Sequence, residues 1–324
     1  MIEQAPTSPA VTVAVVSWNT RDLLAQCLES LHPDVDDGLA EVWVVDNAST
    51  DGSAELVREG FPWANVIASE QNLGFGAGVN RIAAATSTPW IAPANADVRV
   101  SRGALRALID EGVRHPDAAV LAPRLTLPDG STQHSVYPFP TIPFTLAYLG
   151  GATRVSRRAA RHWFIDGGFD PGEQREIPWA VGAFVVVRRD AWEQVGGFDA
   201  QQWMYAEDLD LGWRLTRHGW KARYVPGAEV FHAESAATTQ AWGGERHARW
   251  HGSTYLWMLR RRGAAYTRLI AAANVIGFLA RAGLLSLRAA SRGAPVRGAG
   301  QSALLAARAH AVGLRSRRAL ERLR

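Results

Sequence analysis

The chain has 324 residues, 47% hydrophobic and 20% charged, the balance of a globular protein with one large α/β domain or two smaller ones. Its single cysteine, Cys27, excludes an intrachain disulfide and any cysteine-based metal site. The net charge of +4 is unevenly spread, since Glu321 is the only acid beyond Gly263 among many arginines, and such a tail favours an anionic partner, either membrane lipid or nucleic acid.

The N-terminal Met1-Ile2-Glu3-Gln4-Ala5-Pro6 has no basic region followed by an apolar core, so no signal peptide is expected and the chain reads as cytosolic. Val11–Ser17 is a β-branched run that predicts a buried strand ending on Trp18-Asn19-Thr20. Leu23, Leu24, Cys27, Leu28 and Leu31 follow at helical spacing, with Cys27 as a small core residue. Val42–Val45 predicts a second strand, closing on Asp46-Asn47-Ala48-Ser49-Thr50-Asp51-Gly52-Ser53. After a helix carrying Leu56 and Val57, Val66–Ala68 predicts a third strand. The loop Gln71–Gly78 then leads into a helix through Val79, Ile82 and Ala83, and Trp90–Pro93 predicts a fourth strand ending on Asn95-Ala96-Asp97. Alternating strands and helices with short loops signal a parallel, doubly wound sheet, whose ligands bind beyond the strand C-termini. The polar clusters at Trp18-Asn19, Asp46-Asn47 and Asn95–Asp97 all fall there. Gly74-x-Gly76-x-Gly78 is not a dinucleotide fingerprint, because it follows the third strand and its spacing is wrong.

From Leu127 to Glu176 the regularity is lost. Pro128-Asp129-Gly130 is a turn, Pro138, Pro140 and Pro143 break any helix, and Arg154, Arg157, Arg158 and Arg161 form a basic segment before Gly167-Gly168. A long, partly mobile excursion near the site is expected. Trp179–Val187 predicts one strand, with a helix after it around Ala191 and Val195. Gly243–Arg262 predicts another helix. Leu269–Leu287 is long and apolar but contains Arg281, which makes it a marginal membrane span. Asn274, Arg281 and Arg288 share a face at heptad spacing, which suits a helix lying on the cytoplasmic leaflet; a soluble helix packed on the catalytic domain is the alternative.

Glu207-Asp208-Leu209-Asp210 opens a predicted helix in which Leu211, Leu215 and His218 recur and Gly219 is the stop. The helix dipole would be served by one acid. Three together repel, which raises at least one pKa and suits a general base. On the cluster alone, helix cap and base both stand.

Several motifs together resemble the inverting family 2 glycosyltransferases with the GT-A fold: Val15-Val16-Ser17-Trp18-Asn19, Val45–Ser53, Asn72-Leu73-Gly74-Phe75-Gly76 with Asn80, Asn95-Ala96-Asp97, Gly196-Gly197-Phe198-Asp199 and Glu207-Asp208. Within that family, Val187-Arg188-Arg189, Met204-Tyr205-x-Glu207-Asp208-Leu209-Asp210-Leu211, His232 and Ser253-Thr254-Tyr255 are most similar to bacterial rhamnosyltransferases acting on polyprenyl-diphosphate-linked sugars. The resemblance implies a Rossmann-like, mostly parallel central sheet flanked by helices over residues 1–262. A basic, apolar helical extension over 263–324 would touch the inner face of the cell membrane. It implies that Trp18 meets the nucleotide base, that Asp46 accepts a hydrogen bond from the base ring N–H, and that Asn72, Gly74, Asn80 and Asn95 line the nucleotide-sugar site. Asp97 with His232 would hold Mg²⁺ or Mn²⁺, Asp208 would be the base, and Trp179, Glu207 and Arg214 would face the acceptor. Asn95 departs from the family's Asp-x-Asp motif, which lowers the charge of the metal site. The implied reaction moves a sugar, L-rhamnose from dTDP-L-rhamnose in the first instance, to a glycolipid or glycan acceptor of the cell envelope. A UDP-sugar donor (galactofuranose, glucose or N-acetylglucosamine) and a nucleotide-sugar-binding pseudoenzyme are the alternatives. No nucleic-acid partner is expected, because no recognised module accompanies the arginines.

Overall fold

The computed structural model describes residues 9–164, 169–233, 246–292 and 299–322. Gly167-Gly168 and the predicted helical residues before Arg246 lie outside these. The first half of the chain runs β1 (Val11–Ser17), α1 (Arg21–Asp36), β2 (Ala40–Asp46), α2 (Ser53–Gly60), β3 (Asn65–Ala68), α3 (Phe75–Ala85), β4 (Trp90–Asn95), β5 (Val98–Val100), α4 (Ala104–Arg114), β6 (Ala118–Thr126) and β7 (Val136–Tyr137). Then come α5 (Ile142–Leu149), α6 (Ala152–Val155), α7 (Arg157–His162), β8 (Arg175–Ile177), β9 (Trp179–Ala180), β10 (Val186–Arg188), α8 (Arg189–Val195), α9 (Glu207–Arg217) and β11 (Lys221–His232). The C-terminal helices are α10 (Arg246–Arg262), α11 (Ala264–Ser291), α12 (Gln301–His310) and α13 (Arg317–Glu321), with a 3-10 turn at Ala311–Leu314.

Two compact units result, Met1–Phe139 with Asp170–Ala241, and Pro140–Phe169 with Trp242–Arg324. The first is a mixed α/β unit around a sheet in the order β3-β2-β1-β4-β10-β6-β11-β5, with β8 also paired to β11. Strands β3, β2, β1 and β4 are parallel, as the alternating pattern requires. Val11, Val13, Val15, Val42 and Val44 are fully buried, which is why these segments read as continuous apolar runs rather than alternating ones. Beyond β4 the parallel order stops, because β10 inserts antiparallel to both β4 and β6. The strand expected over Trp179–Val187 is therefore two short ones, with a turn between them whose backbone is used at the site described below.

The insertion is anchored by Arg188 at the end of β10. Its guanidinium lies 4.5 Å from the centroid of the Trp90 ring and donates to Gly112 O at 2.6 Å and Ala118 O at 3.3 Å. Helix α4 approaches Trp90 so closely that a Cβ on Gly112 would sit 2.3 Å from the indole Cη2.

In the second unit, the proline-rich stretch expected to be an irregular excursion is largely helical from Ile142 to His162. Pro143 falls in the first turn of α5, where its missing N–H costs nothing, and the Thr141 hydroxyl caps the helix by accepting from Phe144 N at 3.3 Å. The boundary expected at 262/263 also moves, since α10 belongs with the helices that follow it. Tyr255, Leu256, Trp257 and Met258 of α10 are buried, and Tyr255 shares a 2.8 Å hydrogen bond with His310. Phe278 and Ala282 of α11 form a small core with Ala303 and Ala307 of α12, and Phe278 stacks on His310 at 5.4 Å. Burial pushes the His310 imidazole down to about 4, so it is neutral there. Helix α11 has a mean hydropathy of 1.7 over its most apolar window and is long enough to cross a membrane. Leu269, Ile276, Leu279 and Leu287 are exposed on it, whereas Asn274 is buried and donates to Ile270 O at 3.0 Å.

Gly112→Ala should destabilise the first unit by about 1–3 kcal/mol, the cost of overpacking against a fixed indole. A lowered urea midpoint with an unchanged slope would show it; an unchanged midpoint would mean that Trp90 moves freely.

Candidate active site

All the site residues expected from the sequence lie in the first unit, most of them at the C-terminal edge of its parallel strands. Trp18 is half-buried where β1 ends. The loops after β1 and β2 are tied together: Asn19 N donates to Ser49 Oγ at 2.9 Å, and Thr50 N donates to Asn19 Oδ1 at 2.8 Å. Asp46 closes β2 in a buried position. Its Oδ2 accepts from Ser49 N at 3.2 Å, while Oδ1 is buried with no hydrogen-bond partner among the described residues. An orphaned buried carboxylate oxygen is costly unless a ligand donor meets it. Asn47, which the sequence grouped with Asp46 without giving it a role, holds the next loop by accepting from Leu73 N and donating to Gly74 O, both at 3.2 Å.

Asn72 accepts from Gly74 N at 2.9 Å through its side chain, and its carbonyl accepts from Trp203 Nε1 at 3.3 Å. Gly74 is required here, since its φ is +81° and a Cβ would lie 2.1 Å from Trp203 O. Asn80 is not directed at a ligand. Its amide donates to Phe198 O at 2.8 Å and accepts from Phe198 N at 2.9 Å, so the expected binding residue instead fixes the Gly196-Gly197-Phe198 turn.

Asn95, Asp97 and His232 come together from the β4–β5 turn and the end of β11. His232 Nε2 stands 3.3 Å from Asp97 Oδ1 and 3.5 Å from Asn95 Nδ2. Gln133, a residue missed in the sequence, faces Nδ1 with its Oε1 at 2.8 Å. Asp97 Oδ1 and His232 Nε2 thus converge as two donor atoms of the kinds that bind a divalent cation, and no third His, Cys, Asp or Glu joins them among the described residues, so the rest of a metal's coordination would come from the Asn95 amide oxygen, water or a bound diphosphate.

The three acids at the start of α9 separate completely. Asp210 is fully buried and pairs with Arg214 Nε at 2.6 Å. Arg214 also donates to Val195 O and Gly197 O at 2.6 and 2.7 Å, so this expected acceptor residue braces α9 against the Gly196-Gly197 turn. Trp179, also assigned to the acceptor, is 7% exposed, donates to Pro138 O and stacks on Tyr137, and it packs beneath α9 where a Cβ on Gly212 would lie 2.7 Å from it. Asp208 is half-buried; its Oδ2 accepts from Gly182 N at 3.0 Å and its Oδ1 from Leu209 N at 2.7 Å. Burial raises its pKa, and these two amide donors act in the opposite direction by favouring the ionised form. Glu207 is buried with Oε2 unpartnered among the described residues, and burial, reinforced by the Asp208 charge, pushes it up to about 8. Burial therefore favours the protonated form of Glu207 at neutral pH, while Asp208, the more accessible of the two, is the carboxylate that backbone amides hold in place. Among the described residues, four of the five non-glycine residues at positive φ, Asn19, Ala48, Tyr205 and Ala206, lie in these loops, a concentration of strain typical of functional sites.

A family model described as glycosyl transferase family 2 matches residues 12–196, and one described as glycosyl transferase family 21 matches residues 172–297. An N-acetylglucosaminyl-diphospho-decaprenol L-rhamnosyltransferase of Mycobacterium tuberculosis is 33% identical over 249 residues, 68% of this chain and 79% of that protein. The rhamnosyltransferase WbbL of Escherichia coli is 33% identical over 87 residues, 26% of this chain and 32% of that one. A mannosyltransferase from Pyrobaculum calidifontis, solved with GDP-Man and Mn²⁺, shares the fold with a TM-score of 0.58 at 18% identity, over 96% of this chain and 87% of that one.

The proton on Glu207 sets a pH dependence. The folded chain keeps it up to about pH 8, while an unfolded glutamate loses it near the ordinary value of 4.5, so the folded state loses stability as pH rises from about 4.5 to 8. Glu207→Gln should remove that slope, leaving the variant's melting temperature flatter than the parent's between pH 5 and 9. Parallel curves would mean that Glu207 ionises normally.

Proposed function

Because this chain belongs to glycosyl transferase family 2, we propose that the glycosyl transfer it catalyses moves L-rhamnose from dTDP-L-rhamnose, with inversion, to a lipid-linked or polysaccharide acceptor. The observation that carries the reading is Asp208, a half-buried carboxylate held by Gly182 N–H and Leu209 N–H beside a buried Glu207 whose pKa is raised to about 8. Such a carboxylate can take the proton of an acceptor hydroxyl as that oxygen attacks the anomeric carbon. A neutral Glu207 keeps a second negative charge away from the base and offers a hydrogen-bond donor to the acceptor. Asp46 Oδ1 is the acceptor awaiting the ring N–H of a thymine, with Trp18 close in sequence for the base plane. Uracil presents the same N–H, which keeps UDP-sugars as the alternative donors. Asp97 and His232, with Asn95 beside them, would hold Mg²⁺ or Mn²⁺. The cation would neutralise charge developing on the diphosphate leaving group. The names of the two relatives support the rhamnosyl donor and, for the mycobacterial one, a lipid-diphosphate acceptor. The exposed leucines of α11 support a peripheral position on the inner face of the cell membrane.

Purified protein offered dTDP-L-rhamnose and UDP-sugars with a lipid-diphosphate-linked N-acetylglucosamine should release dTDP and not UDP; release of UDP alone would replace the donor. Asp208→Asn should lower turnover by about 10²–10⁴-fold with donor affinity little changed. Asp97→Ala should abolish turnover and the divalent-dependent part of donor binding, and full activity of that variant in EDTA would sink the metal assignment.

A further inference from the structure

The second unit contains a cavity of about 470 Å³ between α5 and α11, within the size range of small-molecule sites. Tyr148 and Leu149 of α5 and Phe278 and Leu284 of α11 give it apolar walls, and Arg281 and Arg288 are also among its lining residues. Seven residues apart on one helix, these arginines lie two turns and about 10.5 Å apart along the same side, close enough for two long side chains to converge on one anionic group. No acid among the described residues pairs with either, and across Pro140–Phe169 and Trp242–Arg324 the sequence has 20 arginines against three acids. Two unpaired arginines beside an apolar chamber match a charged head joined to a hydrocarbon chain. A diphosphate answers both forks, whereas a phosphodiester carries less charge than the site offers.

We infer that this cavity binds the head and first units of a long-chain prenyl diphosphate, with Arg281 and Arg288 on the phosphates and Tyr148, Leu149, Phe278 and Leu284 around the chain. That this lipid is the carrier of the acceptor sugar rests on the transfer reaction proposed above. Binding is read without donor or turnover, so it fails or succeeds separately from that reaction.

Full-length protein in nonionic detergent is titrated calorimetrically with farnesyl diphosphate, farnesol and inorganic diphosphate. Phosphatidylglycerol/phosphatidylcholine vesicles serve as a competitor. Farnesyl diphosphate should bind one per chain, and farnesol and inorganic diphosphate each much more weakly. The double variant Arg281→Gln/Arg288→Gln should lose about tenfold or more in affinity. Leu284→Glu, at a half-exposed position that the fold tolerates, should weaken binding by bringing a carboxylate to the phosphates. Undiminished binding by both variants would overturn the assignment. So would inorganic diphosphate binding as tightly as farnesyl diphosphate, which would leave only an anion patch. Displacement by phosphatidylglycerol at equal affinity would make the site one for bilayer phospholipid and overturn it as well.

Discussion

The site depends on one hydrogen bond, from Gly182 N to Asp208 Oδ2. The next residue, Ala183, accepts from Asn95 N at 2.9 Å, so two consecutive residues hold Asp208 on one side and the end of β4 with Asn95 on the other. The Ala183 carbonyl continues the antiparallel pairing of β10 with β4, which also brings Ala94 opposite Phe184, whereas the Gly182 amide lies in the turn between β9 and β10 and is free to meet a side chain. Gly182 is also small enough for the approach, since a Cβ there would lie 3.3 Å from Asp208 Cβ.

Asp208 reaches that amide through two consecutive residues at positive φ, Tyr205 and Ala206, neither of them glycine. Left-handed backbone at such residues costs of order 1–3 kcal/mol each, so the surroundings must over-determine it. They do: Asp210 and Arg214 lock the first turns of α9, Arg214 and Asn80 grip the Gly196–Phe198 turn, and Trp203 lies against Gly74. Residues that resemble ligand contacts in the sequence are here the supports that keep a strained turn in place.

This explains which parts were legible in the sequence. The parallel half of the sheet and the helix from Glu207 were, because β-branched runs and helical spacing report directly on burial. Asp46, Asn95, Asp97 and His232 were singled out by their places in ordered motifs, and the fold gathers Asn95, Asp97 and His232 at one corner. Asn80, Arg214 and Trp179 were placed in the right region but with the wrong partners, since a motif shows that a polar or aromatic side chain is needed without showing whether it faces ligand or backbone. Gln133 gave no signal of its own, because it acts through one contact with a residue distant in the chain. The break between β9 and β10 was hidden for a related reason: a turn that stays buried keeps the apolar composition of a strand. The unit boundary was missed because the contacts of α10 with the C-terminal helices leave no mark in composition.

The basic unit owes its charge entirely to guanidinium. Lys221 is the only lysine of the whole chain, and it lies in the other unit, paired with Asp117 and Glu176. An ammonium group can be acetylated or lose its proton when buried, whereas guanidinium keeps its charge throughout the physiological range. A guanidinium contact with a phosphate of the kind inferred above would therefore have no acetylation switch and no pKa of its own within that range. Ionic strength and competing anions are what would loosen it, since screening acts on every exposed guanidinium alike.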